Sequence, residues 1–155
     1  MAAHLCSVYC IRITIVLSNS ILVNNIIIRN NISHGYGGGI CILSANPIIS
    51  NVIVEGNIAQ SGAGISTSGN TIINNTIIRF NTSTCDFPII CEEEFEDNEM
   101  ITTSMSMGGG ILDVGIGEGG TSLLLSSVII TQNTANIGGG MMSINSNSSF
   151  NEVTI

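Results

Sequence analysis

The sequence has no lysine and no tryptophan, 3 arginines against 11 carboxylates, 2 prolines and 4% aromatic residues in 155 positions. Each shortage excludes something. A formal net charge of −8 has the wrong sign for a phosphate-backbone partner, which argues against nucleic-acid binding. Charged residues make up 9% of the chain, against about 25% in an average soluble domain. Ala, Leu, Glu and Lys, the usual helix builders, are displaced, which excludes a helical bundle. No apolar run reaches the roughly 18 residues of a membrane helix; the most apolar stretch, 11–23, is broken by Arg12, Thr14, Ser18, Asn19 and Ser20. No basic region precedes that stretch, and Arg12 stands where a secretion leader would be apolar. What fills the chain instead is 29 Ile, 18 Asn and 18 Gly, a β-branched and turn-forming vocabulary. At 44% apolar the chain is too hydrophobic for disorder.

The arrangement is repetitive. The block 18–31, with Asn24-Asn25 followed by Ile26-Ile27-Ile28-Arg29-Asn30-Asn31, returns at 45–57, at 69–81 and at 123–133, and begins again at 150. Each complete block is followed by a glycine cluster and a short apolar run, as in Gly37-Gly38-Gly39-Ile40, Gly62-Ala63-Gly64-Ile65, Gly108-Gly109-Gly110-Ile111 and Gly138-Gly139-Gly140-Met141. Asn25 to Asn51 is 26 residues, Asn51 to Asn75 is 24, Asn75 to Ser127 is 52, and Ser127 to Asn151 is 24. A period of 24–26 holding three short apolar runs fits a three-sided coil whose strands stack on their counterparts one turn away. The expected fold is therefore all-β: a right-handed parallel β-helix of four to five coils, spanning 1–155 as one segment. The Leu-x-x-Leu-x-Leu signature of a leucine-rich repeat is absent. Because the chain starts without a glycine corner and stops within a coil, it reads as a piece of a longer solenoid, with end-to-end self-association a further expectation.

Stacking at about 4.8 Å predicts two asparagine ladders, Asn25, Asn51, Asn75 and Asn151 in one column and Asn31, Asn57, Asn81 and Asn133 in the other, each amide bonding the next coil. The glycine clusters mark corners, and Ile fills the interior. Four residues after the first asparagine column stand Arg29, Glu55, Arg79 and Thr131. The first three of these predict a plus, minus, plus ion-pair stack on the surface, of about 1 kcal/mol per pair at most.

The alternation of Gly-Gly-Gly-Ile with an apolar-x-x-Asn element (Ile28 to Asn31, Val54 to Asn57, Ile78 to Asn81, Ile130 to Asn133) resembles the polymorphic outer membrane protein repeats of chlamydiae and related β-helix surface proteins, with Ile or Val in place of their Phe. The resemblance covers 13–155 apart from insertions. It implies extracellular or cell-surface display as an adhesin. The wider pectin-lyase-like superfamily that shares this fold adds polysaccharide lyases and hydrolases as the alternative reading.

One coil is expanded. Asn81 to Gly110 is 29 residues where Asn57 to Gly64 is 7, which defines an insertion over 84–106. It carries Asp86, Glu92, Glu93, Glu94, Glu96, Asp97 and Glu99, seven of the eleven acids. Loops on a rigid scaffold are where binding is commonly placed, so the insertion is the candidate contact surface for a host or neighbouring surface protein or a glycan. Its carboxylates are candidate Ca²⁺ ligands, although the Asp-x-Asp-x-Asp-Gly spacing is missing and no cofactor is otherwise indicated. Cys85 and Cys91 are spaced to close a small disulfide loop, Cys6 and Cys10 could pair likewise, and Cys41 reads as a packed small residue. His4 beside Cys6 is a weak zinc pattern. Sugar cleavage needs two or three carboxylates on one face. Outside the insertion only Glu55, Asp113, Glu118 and Glu152 exist, and Asp113 aligns with Thr67 and Ser143, so no catalytic residues are assigned. Ice binding would require a regular threonine array, and the threonines are scattered. The Asn-x-Ser/Thr triplets at Asn31, Asn74, Asn81 and Asn147 arise in any Asn-rich chain, and the ladder should bury two of them.

Overall fold

A computed structural model describes residues 13–17, 21–85, 105–115 and 120–155. Among them are fourteen strands and no helix: β1 (Ile13–Val16), β2 (Leu22–Asn24), β3 (Ile27–Arg29), β4 (Ile40–Leu43), β5 (Ile48–Ser50), β6 (Ile53–Glu55), β7 (Ile58–Ala59), β8 (Ile65–Ser68), β9 (Thr71–Arg79), β10 (Thr82–Ser83), β11 (Ile111–Val114), β12 (Thr121–Thr131), β13 (Met141–Ile144) and β14 (Ser146–Thr154). All pairings are parallel, and the strands stack as a β-solenoid of about four turns. One line of strands runs β1-β4-β8-β11-β13 and a second runs β2-β5-β9-β12-β14. A third begins as β3-β6 and continues into the far half of β9. A short β7-β10 pair completes the circuit.

Strand alternation explains the interior. Residues i and i+2 face one way, so Ile40 and Ile42 enter the lumen while Cys41 between them points outward. The lumen holds Ile15, Val23, Ile28, Ile49, Val54, Ile73, Ile78, Leu125 and Ile130, all buried. Each fully buried Ile contributes about 1.5–3 kcal/mol relative to exposure, which is how so narrow a core sustains the coils. Cys41 is buried on the outer side because the preceding corner arches over it, with Gly37 in the left-handed region at φ +65°. A Cβ on Gly37 would lie 2.8 Å from the Cys41 Cβ, so this corner requires glycine for both conformation and space.

The second and third lines meet at a bend where Asn25, Asn51, Asn75, Ser127 and Glu152 all have φ between 45° and 55°. Asparagine tolerates the left-handed region better than other side chains, which is why it recurs there. A second left-handed column follows the third line at Asn30, Gly56, Phe80 and Gln132.

Candidate functional site

The two asparagine columns differ from each other. In the inner one, Asn31 Nδ2 donates to Asn57 Oδ1 at 2.8 Å, Asn57 Nδ2 to Asn81 Oδ1 at 2.9 Å and Asn81 Nδ2 to Asn133 Oδ1 at 2.9 Å. The backbone N–H groups of Asn31, Asn57 and Asn81 donate to the same oxygens at 2.9–3.0 Å. The second amide hydrogens of Asn57, Asn81 and Asn133 go back to the carbonyls of Ile28, Val54 and Ile78. This is the expected ladder, with Asn57 and Asn81 at 0% exposure. It interlocks with the glycine clusters: a Cβ on Gly39, Gly64 or Gly110 would lie 2.9–3.0 Å from the Nδ2 of Asn57, Asn81 or Asn133 respectively. The two motifs that define the repeat are therefore one packing unit.

The bend column is not a second ladder. Asn25, Asn51 and Asn75 are exposed, and Asn51 Nδ2 donates to Asn24 rather than to Asn25. Their recurrence reflects backbone conformation. Asn151 falls outside the column, because it pairs with Ser126 and the left-handed place opposite Ser127 belongs to Glu152. The last coil is 25 residues long, as the Ser127 Oγ to Glu152 Oε2 hydrogen bond across it shows, so aligning on the asparagine places it one residue early.

Arg29, Glu55 and Arg79 do stand in register on successive coils. Among the described residues Glu55 forms an ion pair with Arg79 and not with Arg29, with Arg79 Nη2 at 2.8 Å and Nε donating at 2.9 Å, and Arg79 also lies 5.5 Å from the Phe80 ring centroid. Arg29 is exposed beside them. The other described acids lie apart. Asp113 is in the lumen at 0% exposure and Glu152 is at the bend, so the described carboxylates do not share an outer face.

The metal-ligand candidates Asp86, Glu92, Glu93, Glu94, Glu96, Asp97 and Glu99, the Cys91 half of the proposed disulfide, and His4, Cys6, Cys10 and Glu118 lie outside the described residues. Among the described residues, no three His, Cys, Asp or Glu side chains come together as a metal site, and no helix is long and apolar enough to cross a membrane. The feet of the insertion are described. Ser83 Oγ donates to the Gly108 carbonyl at 3.1 Å and accepts from the Ala63 N–H at 3.1 Å. Met107 N–H donates to Ser61 Oγ at 3.2 Å, and Ser106 Oγ donates to Asn136 Oδ1 at 2.7 Å. The chain leaves and rejoins the solenoid at one hydrogen-bonded base. Cys85 stands at its edge, half-buried.

Sequence reasoning missed the outer aliphatic columns. Leu22 (63% exposed), Ile48 and Leu124 line the outside of the second line, and Ile27 (56%) and Ile129 the outside of the third. Their signal was the presence of apolar residues in both phases of each strand, Ile27 beside Ile28 and Ile48 beside Ile49. Two of the four Asn-x-Ser/Thr triplets are in the ladder and buried, at Asn31 and Asn81.

With this geometry established, comparison with known proteins adds no neighbour: no family model matches the chain, and neither the curated proteins nor the solved structures give a match. The class defined by the fold is a parallel β-solenoid.

Proposed function

We propose that the chain is a structural display element of a secreted or cell-surface, adhesin-like protein, and that it binds a neighbouring surface protein or glycan through the insertion over 84–106. The observation that supports this reading is the closed base of the insertion. Ser83 and Gly108 are hydrogen-bonded although 25 residues apart, while the amide ladder passes beneath from Asn81 to Asn133 without a break. A solenoid that keeps its stacking across an excursion of this length carries that segment as cargo, and a rigid scaffold presenting a loop is the usual arrangement for binding. The acidic character of the insertion favours a cationic or metal-bridged contact.

The test compares the full chain with a variant in which residues 86–104 are replaced by a short Gly-Ser link, on a glycan array and on immobilised extracellular proteins with and without Ca²⁺. The expected result is binding by the full chain that the variant loses, with both proteins melting within a few degrees of each other. Equal binding by both proteins, or none by either, contradicts the proposal.

A further inference from the structure

The lumen changes chemistry along its axis. One inward column of the first line reads Ile15, Ile42, Thr67, Asp113, Ser143, so its apolar start gives way to three polar residues. The column of the second line that meets it reads Thr71, Leu123, Ser148. The Thr67 and Thr71 hydroxyls lie 2.6 Å apart, and those of Ser143 and Ser148 lie 3.0 Å apart. Asp113 sits between the two pairs, fully buried; its Oδ2 accepts from Ser143 Oγ at 3.3 Å and Ser148 Oγ at 3.1 Å, while Oδ1 has no hydrogen-bond partner among the described residues.

Two hydroxyl dipoles do not replace the hydration of a carboxylate, and an enclosed charge without a counter-charge is strongly unfavourable. The described arginines give no relief, since Arg29 and Arg79 stand on the outer face of the third line, the latter on Glu55. On the turns to either side of Asp113 stand two hydroxyl pairs, with Leu123 in the facing column on its own turn; hydroxyl and carboxylate oxygens suit hard cations and not zinc or copper. With one carboxylate in the set, a single positive charge neutralises it.

We propose that the lumen at Asp113 is a binding site for a single alkali cation, ligated by the Asp113 carboxylate and by hydroxyls from Thr67, Thr71, Ser143 and Ser148. The cation ties three successive turns together from within, those that begin with β8, β11 and β13. The site is separate from the insertion and does not depend on the display reading.

The experiment is a thermal-melting titration of the full chain with KCl or NaCl, each balanced by choline chloride to constant ionic strength so that surface screening cancels. A saturable rise in Tm of a few degrees with potassium or sodium, absent in choline, is expected. Asp113→Asn should abolish the rise, and Thr71→Val should move its midpoint to higher cation concentration. The rise should persist when 86–104 are replaced by the short link. Identical melting in all three salts, a rise that survives Asp113→Asn, or a rise lost with the insertion each overturns the proposal. Should Asp113→Asn fail to fold, the wild-type titration and Thr71→Val still decide it.

Discussion

Two columns of asparagine run along this solenoid six residues apart, at 25, 51 and 75 and at 31, 57 and 81, and they serve different links between sequence and structure. The inner column works through its side chains. The amides of Asn57 and Asn81 each accept from the coil before, donate to the coil after, and are enclosed by a glycine corner. The bend column works through its backbone, and its side chains are exposed, with Asn51 reaching Asn24 rather than its own column. The difference shows in what replaces asparagine. Further along the chain the bend accepts Ser127 and Glu152, because only φ has to be met. The ladder keeps Asn133 even after a 52-residue gap, because no other small side chain offers two donors together with an acceptor.

Breaking the ladder at its centre should have the largest effect. Asn57→Leu keeps the branched shape but strips the acceptor from two buried donors of Asn31 and the donor from Ile28 and Asn81. Unsatisfied buried groups cost about 1–3 kcal/mol each, so a loss of about 3–5 kcal/mol is expected in urea denaturation. Gly64→Ala attacks the same unit from the corner. Its Cβ would collide with the Gly110 carbonyl and lie 3.0 Å from Asn81 Nδ2, and overpacking of this kind costs about 1–3 kcal/mol. At the bend, Asn51→Ala should cost only about 1 kcal/mol, the left-handed penalty, and Asn51→Gly should be neutral within about 0.5 kcal/mol. Smallest of all is Glu55→Gln. Its ion pair with Arg79 is partly solvated, at 21% and 39% exposure, so the change should stay below about 1 kcal/mol and shrink further in high salt. A bend substitution that matched Asn57→Leu in cost would erase the distinction between the columns.

The coil, its period and the parallel stacking were legible in the sequence because every coil must solve the same packing problem, and so it repeats the same letters. The job of each letter was less legible. Asparagine serves both as an amide bridge and as a left-handed residue, and a recurrence in sequence does not separate the two. The same ambiguity displaced the last bend by one residue: Asn151 matched by identity, whereas Glu152 matches by conformation. The Arg29, Glu55 and Arg79 column was legible as a register, but register alone does not select which neighbour Glu55 bonds. Asp113 could have been placed in the lumen from strand alternation, since it lies two residues after the inward Ile111 and aligns with Thr67 and Ser143. The aliphatic outside of the second and third lines follows from strands with apolar residues in both phases, a pattern that a search for interior positions passes over.

The most direct test of this account is hydrogen exchange at the asparagine side-chain amides, read residue by residue by nuclear magnetic resonance on the folded protein. The Nδ2 hydrogens of Asn57 and Asn81 should exchange far more slowly than those of Asn25, Asn51 and Asn75, because the former are buried in a continuous bonded column and the latter face water. Equal exchange in the two columns would contradict the ladder and, with it, the interlocking of asparagine and glycine that holds the coils together here.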